Sequence, residues 1–167
     1  MNICTHKRIG MNALVETFNE LIKPTQDMRD EILDTLTDAD LAYALPGNPT
    51  LGELLRELGE IEHTYVQSFK RFTQSFDYKH DDPSIATSLS RLRAWYKSLQ
   101  SEMEAALKGL NPDEVANKAV DRQGWQAPLR MQLDVYLQAL LIFYSKLSVY
   151  MRALGKPLSE KWIAWIN

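Results

Sequence analysis

Apolar residues recur at three-and-four spacing along four stretches of this chain, and no stretch alternates convincingly with the period of two that marks a strand. The first stretch runs from about residue 10 to 36, with Met11, Leu14, Phe18, Leu21, Met28, Ile32 and Leu36 on one side. Pro24 falls inside it and, lacking an N–H, predicts a kink or a split. The second, about 49–75, carries Leu51, Leu54, Leu55, Leu58, Tyr65, Phe69 and Phe72. Asn48 or Thr50 is placed to cap it, and Thr50 followed three residues later by Glu53 has the form of a capping box. The third, about 84–107, carries Leu89, Leu92, Tyr96, Leu99 and Met103, and Gly109 with Asn111-Pro112 stops it. The fourth, about 127–154, shows Leu129, Leu133, Tyr136, Leu137, Leu140, Tyr144, Leu147, Met151 and Leu154, halted by Gly155-Lys156-Pro157.

The connections differ in character. Thr37 to Asp40 reads as a turn or short cap, Leu45 to Pro49 as a loop, and Tyr78 to Pro83 as a polar break. Asp113 to Gln126, ending in Gly124-Trp125, is irregular and long enough for a crossover connection with one short helical turn. Four amphipathic helices of these lengths predict an all-α four-helix bundle, organised as one domain over residues 1–167. The tail 158–167 holds Trp162, Ile163, Trp165 and Ile166, too apolar to be left in water. It either packs on the bundle or contributes to a subunit interface.

Composition narrows the classes of function. At 167 residues with 45% hydrophobic content, the chain has enough apolar material for a sizeable core. A formal charge of −3 offers no field for nucleic acid, and His6-Lys7-Arg8 is too short to change that. One cysteine, Cys4, excludes an internal disulfide and fits a reducing compartment. No apolar run approaches the roughly 20 residues of a membrane span. The first residues lack the apolar core of a secretory signal, so a cytoplasmic location is expected.

Candidate chemistry is sparse. The chain has three histidines, His6, His63 and His80. Glu60 and His63 form one Glu-x-x-His, but di-iron bundles need a second copy on another helix, and none exists. His63 also lies about 140° from the apolar stripe of its helix at ~3.6 residues per turn, which predicts a partly exposed surface position. His6 sits near the chain end. His80, beside Asp81 and Asp82, reads as part of a solvated polar loop. Nothing matches a phosphate-binding glycine loop, a Cys-x-x-Cys pair or a Ser-His-Asp arrangement.

Three phrases carry a family resemblance. Thr50-Leu51-Gly52-Glu53-Leu54-Leu55-Arg56-Glu57-Leu58 opens the second helix, Leu36-Thr37-Asp38-Ala39-Asp40-Leu41 follows the first, and Leu147 to Pro157 closes the fourth. Together they resemble DinB-like (YfiT-like) bundle proteins. The resemblance implies an up-down-down-up topology with a long crossover before the last helix. It also implies a metal held by one histidine on the second helix and an H-x-x-x-H pair on the fourth. Aligned without a gap, those three positions hold Glu57, Ala139 and Phe143. Alanine has no donor atom, phenylalanine has no lone pair, and one carboxylate cannot replace three ligands. The expectation is therefore a degenerate site with no metal and no other cofactor.

What remains is a flank lined by Tyr136, Ala139, Phe143 and Tyr150, with Glu57 opposite and Trp125 at its mouth. Two readings compete there: a small apolar ligand anchored by Glu57, or a vacated metal site filled by ordinary packing of Phe143. The preferred reading of function is a metal-free small-ligand or interaction module, with a non-enzymatic role favoured. DinB-like proteins include metal-dependent thiol-cofactor transferases, isomerases and hydrolases, so such an enzyme is the competing reading. A purely structural homodimer joined through the tryptophan tail is the third, since members of the resembled family are often dimeric.

Overall fold

The computed structural model describes residues 12–166, so Cys4, His6 and the expected helix start at Gly10 and Met11 lie outside it. The first rod is assembled from α1 (Ala13–Thr17), a π-helical turn (Phe18–Ile22) and α2 (Lys23–Thr35). Asn12 caps its start by accepting the Leu14 N–H. The interruption expected at Pro24 takes the form of a change of helix type, and the rod stays helical through it. The wider π turn directly before it absorbs the missing donor, and Pro24 occupies the first turn of α2, where a proline N–H is not needed. A 3₁₀ turn (Asp38–Ala42) follows, with Thr37 and Asp40 closing a capping box.

α3 (Leu51–Arg71) begins as its sequence signals. Thr50 Oγ1 accepts the Glu53 N–H at 3.1 Å, and Glu53 Oε2 accepts the Thr50 N–H at 2.8 Å. After a second 3₁₀ turn (Pro83–Thr87), α4 spans Leu89–Gly109 and α5 spans Pro112–Asn117. α6 (Leu129–Ala153) starts two residues later than expected, and α7 (Glu160–Ile166) makes the tail helical.

Interhelical pairs fix the directions of the rods. Thr17 meets Arg130 and Thr25 meets Tyr144, so the first rod and α6 run parallel. Ser68 meets Gln132 and Pro49 meets Tyr150, so α3 and α6 run antiparallel. Tyr96 reaches Leu55 O while Lys70 reaches Glu102, so α3 and α4 point the same way. The order is up-down-down-up. The connection before α6 is long, yet it joins the adjacent ends of antiparallel helices. The traverse along the bundle belongs to residues 72–88, because two parallel neighbours need one.

That return segment hugs α3. Glu60, almost fully buried, accepts Lys79 Nζ at 2.8 Å and the His80 N–H at 3.1 Å. His80 is therefore not in a solvated loop: its ring meets Trp95 edge-on at 4.5 Å, and its Nδ1 accepts the Asp82 N–H. Two glycines of α3 permit the approach. A Cβ on Gly52 would stand 1.7 Å from Ala86 O, and one on Gly59 would stand 2.3 Å from the Trp95 ring.

The expectation of no strand is corrected between α5 and α6. β1 (Ala119–Asp121) and β2 (Gln126–Pro128) pair antiparallel, with Val120 opposite Ala127. Residues 72–74 lie alongside: Asp121 N–H donates to Phe72 O and Gln74 N–H to Asp121 O, both at 2.9 Å. Val120 and Ala127 are fully buried and plug this end of the bundle. Trp125 sits in the hairpin turn, half exposed beneath the Arg122 guanidinium at 5.1 Å, and does not open α6. Three-residue strands are too short to display a period, which is why the pattern missed them.

Candidate functional site

The centre of the bundle is polar where the helical pattern predicts only carbon. Arg29 on α2 and Glu62 on α3 are both fully buried and form an ion pair at 2.5 Å. Glu62 Oε2 also accepts the Tyr136 hydroxyl at 2.9 Å and Gln26 Nε2 at 3.2 Å, and Gln26 Nε2 donates to Tyr136 Oη at 2.9 Å. The Arg29 guanidinium lies 4.0 Å from the centre of the Tyr96 ring. Burial opposes its charge, but Glu62, with Tyr144, Asp30 and Tyr96, outweighs that and pushes its pKa up. Burial raises the phenols of Tyr96 and Tyr136 well above their usual range, so both stay protonated donors. With its main charges paired inside a closed core, this cluster is a structural clasp and offers no reactive group to solvent.

A readable signal existed for it. Glu62 follows Leu58 by four and precedes Tyr65 by three, and Arg29 follows Ile22 by seven and precedes Leu33 by four. Charged residues standing on an apolar line are either exposed by a shift of the helix or paired in the core. The pattern alone does not distinguish these outcomes, because the partner sits 33 residues away.

The six residues expected to share a pocket do not come together in one. Tyr136 belongs to the clasp, its ring tilted against that of Tyr65 with centres 4.9 Å apart. Tyr150 pins the loop before α3, donating from Oη to Pro49 O at 2.5 Å. Phe143 is buried with Lys146 Nζ 4.7 Å above its ring, and Ala139 is half-buried against the core. Trp125 remains in the hairpin turn. The antiparallel register of α3 and α6, read from Ser68–Gln132 and Glu62–Tyr136, places Glu57 level with Phe143 and Ile61 level with Ala139.

Glu57 itself lines a groove of about 210 Å³ between α3 and the return segment, with Glu60, Ile61, Thr64, Phe76, Tyr78 and Lys79. Its half-buried carboxylate makes no hydrogen bond or ion pair, and Arg130 on α6 is engaged elsewhere, with Thr17 and Asp134. A second depression of about 190 Å³ adjoins it, sharing Thr64 and Tyr78 and adding His63, Gln67, Arg71, Thr73 and Ser75. His63 is partly exposed, as its place off the apolar stripe predicts, and stacks on Tyr78 with ring centres 3.8 Å apart, which makes it a wall of this second depression. Its pKa is lowered, first by burial and then by the surrounding Lys70, Arg71 and His80 against the opposing pull of Glu102. Nothing in the sequence signalled that Tyr78 and His63 meet, since the return segment that brings Tyr78 to α3 has no period.

Among the described residues, no three His, Cys, Asp or Glu side chains come together in a group able to hold an ion. No helix of the described residues is long and apolar enough to cross a membrane.

Comparisons with known proteins agree with this architecture. The chain is similar in structure to a DinB-like protein, YjoA, of Bacillus subtilis, with a TM-score of 0.65 and 16% sequence identity over 87% of this chain and 94% of that one. At that identity the likeness speaks for the fold. No curated protein matches the sequence. The family profile described as "DinB superfamily" matches residues 21–139, which takes in α2, α3, α4 and the first part of α6. By that match over most of its length, the chain belongs to the DinB superfamily.

Proposed function

We propose that this protein works without the metal its resemblance implies, and binds a small organic ligand in the groove beside α3 with Glu57 as the polar anchor. One observation carries the reading: Glu57 holds the helix-two ligand position of the resemblance, half-buried and unpartnered at a groove wall, while Ala139 and Phe143 at the other two positions offer no donor. A lone carboxylate flanked by Ile61, Phe76 and Tyr78 suits a ligand with an apolar body and one cationic or hydrogen-bond-donating group.

Two measurements test this on the purified chain. Metal analysis after growth with zinc and nickel supplied is expected to find less than about one-tenth of an ion per chain. Thermal shift against a panel of thiols, amines and small apolar acids is expected to give a stabilised complex. A ligand at 100 times its Kd adds about 2.7 kcal/mol, several degrees in Tm for a chain of this size, and Glu57→Ala is expected to abolish the shift. Stoichiometric metal lost on Glu57→Ala would overturn the reading in favour of a metal-dependent enzyme. A panel without any shift would remove the ligand.

A second reading rests on the outer face of α6. Met131, Ile142 and Val149 are 47%, 58% and 50% exposed, and they share one line at helical spacing with Gln138 and Ser145. Such a row favours pairing of two copies through α6 in place of the tryptophan tail. Light scattering at rising concentration is expected to show a dimer that Ile142→Glu converts to monomer. A dimer indifferent to Ile142→Glu places the interface elsewhere.

A further inference from the structure

We infer that the second depression, on the far side of the Tyr78 ring from Glu57, is a subsite for an oxyanion, the phosphate or carboxylate head of the small ligand; the inference rests on the groove being a ligand site. Its walls present donors without an acidic side chain among them: His63, Thr64, Gln67, Arg71, Thr73, Ser75 and Tyr78. Two of those donors are committed. Thr64 Oγ1 donates to Glu60 O at 3.0 Å, and Ser75 Oγ donates to Asp77. The side chains of Arg71, His63, Gln67 and Thr73 make no hydrogen bond and no ion pair among the described residues, so their donors are available together in one small concavity.

The charge around the depression is unbalanced. Lys70 is neutralised by Glu102 at 2.6 Å, but Arg71, one residue on, has no carboxylate. A basic residue in the last turn of a helix has a use of its own, because it faces the negative end of the helix dipole. That use explains why Arg71 is basic; it does not explain why imidazole, amide and hydroxyl donors converge beside it. A guanidinium fork with neighbouring neutral donors is the arrangement that recognises planar or tetrahedral oxyanions. The volume, about 190 Å³, suits a head group and not a whole ligand, whose body would pass Tyr78 into the half lined by Ile61, Phe76 and Glu57.

The test uses inorganic phosphate, sulfate and acetate against chloride at constant ionic strength, read by the imidazole resonances of His63 in the full chain. Expected is a saturable shift with at least one oxyanion, weakened at least about tenfold in Arg71→Gln, the loss of roughly one charge-assisted hydrogen bond. Arg71→Lys is expected to fall between, because it keeps the charge and loses the fork. Whether phosphate or acetate saturates at lower concentration identifies the head group. Arg71 lies at the surface, so an unchanged Tm checks that both variants fold. A response no larger than that of chloride, or wild-type affinity in Arg71→Gln, would overturn the subsite. If that happens while a panel ligand still stabilises the protein through Glu57, the groove reading stands alone; if both fail, neither survives.

Discussion

Glu62→Ala is expected to cost about 3–5 kcal/mol of folding free energy, which for a domain of ordinary stability is a large share of the total. The substitution leaves Arg29 fully buried with Asp30, itself 46% exposed, as the nearest compensating charge. It also removes the acceptor of the Tyr136 hydroxyl and of Gln26. Arg29 cannot escape by losing its proton, because a guanidinium remains charged throughout the accessible pH range. Urea unfolding should show a lower midpoint with an unchanged slope, the signature of lost stability and not of a changed denatured state. Arg29→Met combined with Glu62→Leu is expected to recover much of the loss, since an apolar pair of similar volume commonly matches a buried ion pair. Recovery should be incomplete, because the Tyr136 hydroxyl still lacks its acceptor. A double variant as unstable as Glu62→Ala would show that the clasp supplies net stability through its charge.

Trp162→Ala is the second large effect, expected at about 3–5 kcal/mol by thermal or chemical unfolding. Trp162 is fully buried, its ring 5.1 Å from that of Tyr144, and its indole N–H donates to Met28 O at 2.8 Å. Removing it opens a cavity against two helices and leaves the Met28 carbonyl without that donor. Trp162→Phe should retain most of the packing and lose the hydrogen bond, costing about 1–3 kcal/mol. Trp165→Ala serves as the contrast: at 58% exposure it is expected to change stability by less than about 0.5 kcal/mol. Equal losses at the two tryptophans would contradict the role given to α7, a lid held on by one indole.

The two variants report on different halves of the fold. The clasp ties α2 to α3 and α6 across the middle of the bundle, while Trp162 binds the tail to α2 and α6 near their shared end. Tyr144 packs on Trp162 and also acts on Arg29, so the double variant Glu62→Ala with Trp162→Phe is expected to depart from the sum of the two by about 0.5 kcal/mol or more, the coupling carried by that shared neighbour.

The periodic part of the sequence determined the helical content, the four rods and their core lines. It also located the Thr50–Glu53 cap and the stop at Gly109 to Pro112, because each of these depends on residues within one or two turns of one another. The phrases at Leu36, Thr50 and Leu147 pointed to the family for the same reason: they are local. Tertiary structure decided the rest. The β1–β2 pair forms because Val120 and Ala127 fill the end of the bundle, a need no three-residue segment announces. The traverse fell to residues 72–88 because α3 and α4 are parallel, a relation between helices that neither helix encodes alone. Glu62 and Arg29 stay inside because each finds the other across 33 residues, and Glu57 and His63 line adjoining depressions that share Tyr78 because Glu60 holds the return segment against α3. Local spacing fixes which face of a helix is apolar; which polar groups meet on the facing surfaces is settled only when the chain closes on itself.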